Sequence, residues 1–308
     1  MGRMLKAGSL MAVVFSVVTV LVGLTQTAAA DKLKVVTSSA DLAYFTKQVG
    51  GELVDVDPIA SGNRDLHFVE VLPSYMLKLR KADLYFTVGL ELDTWSQPLV
   101  DGSHNPNLKV VDCSKGISPL EVPTFKVDAS HGDLHRFGNP HYWLEPDNIP
   151  AICHTIQATL ASADPANAAA YQSQLDTYLK AFKEKLAAWH SAADRLNGMS
   201  FVCYHNSWPY FCHFFGCKIA GLIEEYPGVA PSPSHLASLI SQIKSDSIRA
   251  VVYEPYFDHR IPDLLAAKTG CRAVTFPTSV GGLPGTNTYE SLIDTLIARL
   301  SGAEGVRP

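Results

Sequence analysis

The sequence of 308 residues lacks the short patterns that announce common enzyme chemistry. It has no G-x-S-x-G, no H-E-x-x-H and no glycine-rich phosphate loop. Nucleophile-elbow hydrolysis, zincin-type proteolysis and phosphate-loop chemistry are therefore without their usual residues. The stretch SVGGLPG, residues 279–285, is glycine-rich but fits neither phosphate-loop spacing, and it reads as a flexible wall beside a cleft. Basic runs are absent too. Charged residues make up 18% of the chain and the formal charge is −5, so no nucleic-acid partner is expected. Six cysteines occur without a C-x-x-C, which argues against a thiolate metal site.

Long apolar runs are scarce as well. The one run of about 15 residues, 10–24, follows Arg3 and Lys6 and precedes TQTAAA. A membrane span needs about 20 apolar residues. A positive start, an apolar middle and an A-x-A site describe a secretory signal peptide over residues 1–30. No cysteine stands at the cleavage site to take a lipid. The mature chain is expected to start near Asp31, to be soluble after export, and to carry a formal charge near −7. In an oxidising compartment an even cysteine count favours disulfides, but the sequence does not choose the pairing.

What is present is a regular alternation. LKVVTSS reads as a buried strand, DLAYFTKQVGG as a helix closed by glycines, LVDVDPIA as a strand, PSYMLKLRKA as a helix and DLYFTVG as a strand. The second half repeats the scheme with MSFVCYH, WPYFCHFFG, KIAGLI, SPSHLASLISQIKSDS (capped by Ser232 or Ser234), IRAVVYEP, RIPDLLAAKTG, RAVTF and TYESLIDTLIARL. Apolar strands alternating with helices predict an α/β fold with parallel sheets. Between the halves, Leu175, Leu179, Phe182, Leu186, Trp189, Ala193 and Leu196 recur at alternating spacings of four and three. With Asp164 as cap, Pro165 in the first turn and Gly198 as stop, this predicts one stiff helix of about 30 residues, about 45 Å long. One side of a coiled-coil dimer is the alternative. The expected division is a leader over 1–30, an N-terminal lobe over 31–163, the linking helix over 164–198 and a C-terminal lobe over 199–308.

Three histidines stand out by context. His67 lies in GNRDLHFVEVLPS after a strand, His141 in the doubly proline-flanked GNPHYWLEP, and His205 at the end of the strand FVCYH. Ligands of open α/β folds bind beyond the carboxyl ends of strands, and neutral imidazole is a common ligand for first-row metals. Glu254 and Asp258 in VVYEPYFDHR also follow a strand. Either is a candidate fourth ligand or a carboxylate holding a ligand imidazole, although Asp258 also suits a cap for the next helix. Asp65 and Glu91 are further candidates for that holding role. His131 and His135 lie in a polar loop before His141 and could capture a metal. The remaining histidines, His104, His154, His190, His213, His235 and His259, read as structural or surface residues.

These motifs, in their order, carry a resemblance: HFVEVLPSYMLKLRKADLYFTVGLELDTW, NPHYWLEP, DPANAAAY, FVCYHNSWPYFCHFFG, PSPSHLASLISQIK and VVYEPYFDHR. Over essentially the whole mature chain they resemble the periplasmic metal-binding proteins of zinc and manganese ABC transporters, the cluster A-I solute-binding family. The resemblance implies two α/β lobes bridged by one rigid helix, with metal held in the interlobe cleft by His67, His141 and His205. Glu254 is the carboxylate placed provisionally as fourth ligand, with Asp258, a loop residue or water as alternatives. It further implies Zn²⁺ as cargo, with Mn²⁺ as the alternative, since manganese sites of this family use more carboxylate. A membrane permease is the implied partner, a periplasmic metallochaperone a further one, and the chain a monomer that does not turn over substrate. Three departures accompany it. Phe276 precedes Pro277 where relatives often carry an Asp-Pro with a ligand Asp. Only His131 and His135 stand in place of a long histidine-rich loop. Leu66 replaces the proline before the first ligand. The readings from other classes are a secreted zinc hydrolase with Glu254 as general base, and an adhesin. The long helix predicts little motion between the lobes.

Overall fold

The computed structural model describes Met1 and residues 31–125 and 135–302. The leader and His131 lie outside the described residues. Four parallel strands, β1 (Leu33–Thr37), β2 (Val54–Pro58), β3 (Leu84–Thr87) and β4 (Lys109–Asp112), form a first sheet in the order β2-β1-β3-β4. Four more, β5 (Ser200–Cys203), β6 (Lys218–Leu222), β7 (Ala250–Tyr253) and β8 (Arg272–Thr275), form a second in the equivalent order β6-β5-β7-β8. Central segments such as LYFT and AVVY are apolar and almost wholly buried, as strands covered on both faces must be. In each sheet the chain leaves the first strand toward one edge and returns for the third on the other side. That leaves a switch point at the carboxyl ends, where such folds bind ligands.

Helices cover the sheets: α1 (Ala40–Gly50), α2 (Pro73–Lys81), α3 (Ser96–Ser103), α4 (Ile149–Ala163), α5 (Ala168–Leu196), α6 (Pro209–Phe215), α7 (Pro233–Ser245), α8 (Arg260–Thr269) and α9 (Tyr289–Ser301). The 29 residues of α5 span about 43 Å. Its buried stripe includes Tyr171, Leu175, Tyr178, Phe182, Trp189 and Leu196, and α1, α4, α6 and α9 of the same chain pack on it. Ser232 caps α7 by accepting from His235 N at 3.1 Å. Asp164 does not cap α5. Its Oδ2 accepts instead from Asn167 Nδ2 at 2.7 Å and Tyr171 Oη at 2.9 Å, because a 3-10 turn, Pro165–Asn167, intervenes before the helix.

One apolar core runs through both sheets, joining Val35 and Phe86 to Phe201 and Val252. Tyr289 of α9 sits at its centre, 5.2 Å from the Phe45 ring and 6.1 Å from those of Phe182 and Trp189. Polar ties cross the same interface. Trp189 Nε1 donates to Asp294 Oδ1 at 2.8 Å, and Tyr44 Oη to Glu290 Oε2 at 2.6 Å. The SVGGLPG loop is tightly bonded rather than a flexible wall. Gly281 N donates to Thr286 O at 2.6 Å, Gly282 N to Ser279 O at 2.9 Å, and Val280 N to Asp41 Oδ1 at 2.9 Å. It also lies so close to Gly62 that a Cβ there would fall on the Val280 carbonyl. Among the described residues no helix is long and apolar enough to cross a membrane.

Asp41 gives this interface a pH dependence. It is fully buried, and burial raises its pKa from 3.8 to about 7 despite the hydrogen bond from Val280. The folded state thus binds the proton more tightly than the unfolded chain. Its contribution to stability is present below about pH 4 and is lost as pH rises to about 7. Asp41→Asn keeps an acceptor for Val280 and is neutral at every pH. Thermal unfolding at pH 8 should show the variant more stable by roughly 1–2 kcal/mol, a few degrees in Tm, with the advantage shrinking as pH falls and vanishing only below about pH 4. An equal difference at both pH values would refute the assignment.

Candidate metal centre

Two of the three candidate histidines are oriented by one local device. In DLH, Asp65 Oδ1 accepts from both the backbone N of His67 (2.9 Å) and its ring Nδ1 (2.8 Å). In NPH, Asn139 Oδ1 does the same for His141, at 3.1 Å from N and 3.0 Å from Nδ1. Such Asx-type bonds, reaching two residues on, fix a turn and a side chain together. His205 is oriented from a distance: β5 pairs with β6, the backbone continues in register to Glu224, and Glu224 Oε2 lies 3.1 Å from His205 Nδ1. A carboxylate or amide oxygen can only accept, so each Nδ1 carries the proton and each Nε2 carries the lone pair.

The sequence separates successive rings by 74 and 64 residues, yet the fold brings them to one point. Their ligand atoms all lie within 4.8 Å of one another, and ring centroids are 5.2 Å apart for His67 and His141, 4.8 Å for His67 and His205, and 5.6 Å for His141 and His205. His141 is 3% and His205 7% exposed. A small cleft opens beside them, lined by Glu121, His135, Asn139, His141, His205 and Asn206. Burial and the neighbouring imidazoles hold His141 well below the usual histidine range. Burial pulls His205 down as well, but the Glu224 hydrogen bond and the charges of Glu254, Glu224 and Asp65 raise it overall. For Asp65, burial is outweighed by the bonds and charge of His67, which lower its pKa. Three neutral imidazoles with inward lone pairs make a donor set for a first-row divalent ion.

Glu254 follows β7 and is fully buried. Its Oε1 accepts from Ser207 Oγ at 2.8 Å and Trp208 Nε1 at 3.1 Å, while its Oε2 has no hydrogen-bond partner among the described residues. Burial raises its pKa to about 7 against the pull of His205. It stands outside the group of atoms within mutual reach. Asp258 lies away from the cluster, bonded to Arg260 N at 2.9 Å ahead of α8. Glu91 binds Arg136 through Nε at 2.7 Å and backbone N at 2.8 Å. His135 does approach the site, its ring 5.3 Å from that of His67, and burial with the neighbouring histidines lowers its pKa to about 3. The other histidines are engaged elsewhere or exposed: His213 with Glu145, His235 with Leu222 O, His259 with Asp263.

The departures have physical reasons. Leu66 is buried in the core, and its carbonyl accepts from Trp95 Nε1 at 2.7 Å. Phe276 is buried 5.1 Å from the Trp208 ring and 6.4 Å from Phe211, so this position supplies packing instead of a donor. Two residues that orient the histidine cluster escape the sequence reading. Asn139 was visible as the second Asx-x-His after Asp65, whereas Glu224 has no local signal and is found only through the pairing of β5 with β6.

Comparison with known proteins follows the same line. The family described as "Zinc-uptake complex component A periplasmic", ZnuA, matches residues 35–303. The high-affinity zinc uptake system protein ZnuA of Bacillus subtilis (strain 168) is 24% identical over 254 residues, 82% of this chain and 80% of that protein. The iron ABC transporter substrate-binding lipoprotein MtsA of Streptococcus pyogenes serotype M1 is 26% identical over 278 residues, 86% and 87%. A crystal structure of a zinc-bound ZnuA deletion mutant superposes with a TM-score of 0.75 at 26% identity, covering 90% of this chain and all of that one.

Removing a partner behind a ligand imidazole typically costs 10–100-fold in metal affinity. Glu224→Ala should therefore weaken metal binding by about that factor in competition with a chromophoric chelator, with the circular dichroism of the fold unchanged. Loss of Glu224 also removes a cause of the raised His205 pKa, so proton competition should set in at lower pH than in the parent protein. Unaltered affinity and pH profile would exclude this role.

Proposed function

Since the chain belongs to the ZnuA family of periplasmic zinc-uptake components, we propose that it captures Zn²⁺ through His67, His141 and His205 and delivers it to an ABC permease. It is a periplasmic metal-binding component of an ABC uptake system, not an enzyme. Zinc is the finer reading, and one observation carries it: among the described residues the donor atoms within mutual reach are three imidazole nitrogens and no carboxylate. Nitrogen-rich sites rank zinc above manganese and iron(II), whereas carboxylate and water suit manganese. Manganese import is the second reading, and the relative named for iron adds iron to the ions to be tested. Glu254 is the proposed fourth position: its unpartnered Oε2 supports it, and its place outside the donor group favours a role as charge partner of His205.

The proposed organisation is a leader over 1–30 removed on export, lobes over 31–163 and 199–308, and the linking helix over 164–198, working as a monomer. A periplasmic metallochaperone is a proposed further partner, suited to a cleft whose lining includes His135.

The test is metal competition on the stripped protein, with Zn²⁺, Mn²⁺ and Fe²⁺ titrated against a chromophoric chelator. One zinc per chain is expected, with manganese at least about 100-fold weaker. His141→Ala should lose more than the roughly 100-fold that a supporting residue costs. Zinc affinity should fall between about pH 7.5 and 5.5, because bound protons exclude the metal from imidazole. Tighter manganese than zinc would transfer the reading to manganese uptake. Unchanged affinity in His141→Ala would remove the three-histidine site. In Glu254→Gln, a loss as large as that of His141→Ala would make Glu254 a ligand, and a small loss would make it a charge partner.

A further inference from the structure

Away from the histidines, one pair of reactive side chains lies in contact. Cys212 on α6 and Cys217 just past it bring their Sγ atoms to 3.0 Å, about 1 Å beyond a disulfide bond of about 2.05 Å. The approach has a backbone cause. Helix α6 ends at Phe215, and Gly216 takes the left-handed conformation, φ 68°, which glycine adopts without a Cβ penalty. The reversal returns Cys217 against the helix just before β6 begins. Both residues are buried, at 9% and 6% exposure. Among the described residues no other two thiols touch: Cys203 faces Gly221 O at 4.0 Å, and Cys271 accepts from Thr269 at 3.1 Å.

We propose that Cys212 and Cys217 are joined by an intrachain disulfide. The oxidant is a small-molecule or protein disulfide. One thiolate of the pair attacks it, forming a mixed disulfide and expelling one thiolate. The second thiolate of the pair then attacks the mixed disulfide, closing the Sγ–Sγ bond and expelling the other. Two electrons pass to the oxidant; the two protons lost by the cysteines are matched by two that its expelled thiolates take up from solvent, and it leaves as two thiols. The hydrogen bond to Cys217, with burial, pushes the Cys212 thiol well up, so thiolate is scarce in the folded chain. The bond therefore closes as α6 folds and then resists reduction. Its occurrence in the cell rests on the exported location proposed above.

The cross-link bears on the site through α6. The same helix carries Tyr210, whose Oη donates to Asn139 O at 2.9 Å and accepts from Leu120 N at 3.0 Å. Trp208, at its start, binds Glu254. Fixing the far end of α6 steadies the helix that braces the His141 loop.

The test needs neither metal nor export, so its failure is separate from failure of the uptake reading. The purified chain is reduced in denaturant and refolded with glutathione and glutathione disulfide. Thiols still free are then blocked with N-ethylmaleimide under denaturing conditions before tryptic digestion. Residues 196–218 emerge as one peptide holding Cys203, Cys212 and Cys217. The expected product carries one maleimide, on Cys203, and is lighter by two hydrogens, with at least ten times the yield of a sample kept in denaturant throughout. Cys217→Ser should leave Cys212 labelled. Three maleimides on the parent peptide, or equal yields with and without folding, would overturn the proposal.

Discussion

Everything at the site depends on how the segment around His141 is held between the two sheets. Tyr142 Oη donates to Val88 O, just past β3, at 2.8 Å. Trp143 Nε1 donates to Thr278 O, past β8, at 2.8 Å, and Trp143 O accepts from Tyr289 Oη at 2.7 Å. Two consecutive aromatics thus fasten the loop to both sheets and to α9. The side chain of Asn139 extends the fastening, orienting His141 with its oxygen and donating from Nδ2 to Asn206 O at 2.8 Å beside His205. Three donors on separate loops must meet within a few tenths of an ångström to bind one ion. A tilt of one sheet against the other would carry His205 away from His67 and His141. The shared core and the long α5 oppose that tilt, which is why a stiff helix belongs with this kind of site.

Much of this was legible in the sequence because parallel strands covered on both faces are continuous apolar runs, and LYFT and AVVY cannot easily be read otherwise. The stripe along α5 was legible for the same reason: a period of alternating four and three has few other uses. The three histidines could be singled out because each lies past a strand or in a constrained loop. What escaped was whatever depended on tertiary contact. Glu224 becomes a partner of His205 only when β6 lies beside β5. SVGGLPG looked flexible by composition, yet its amides are bonded and its glycines allow Gly62 to approach. Asp164 looked like a cap, but the 3-10 turn beside it gives its carboxylate other donors.

The electrostatics divide the three imidazoles. His141 is fully enclosed and leans on a neutral amide, so burial and the neighbouring imidazoles hold it well below the usual histidine range. His67 and His205 lean on carboxyl groups, Asp65 and Glu224. A buried dication brought to three neutral nitrogens would leave its charge uncompensated in a low-dielectric surrounding. Carboxyl groups placed behind the rings offset that charge without entering the coordination shell. They also raise the basicity of the nitrogens they support.

That placement sets the chemical character of the cluster. A carboxylate oxygen in direct contact would make the site harder and more hospitable to manganese. The same carboxylate one imidazole away strengthens nitrogen donation instead. The region after β8, where the resemblance places a ligand Asp, here holds Phe276 packed on Trp208. Trp208 in turn donates to Glu254 Oε1. The apolar ring and the engaged carboxylate are therefore parts of one arrangement. Both donors bind Oε1, so a shift of Glu254 that broke those bonds would leave two buried donors unpaired, at about 1–3 kcal/mol each. Among the described residues, the packing of the second sheet thus holds Glu254 by its Oε1 and leaves it outside the cluster of imidazole nitrogens.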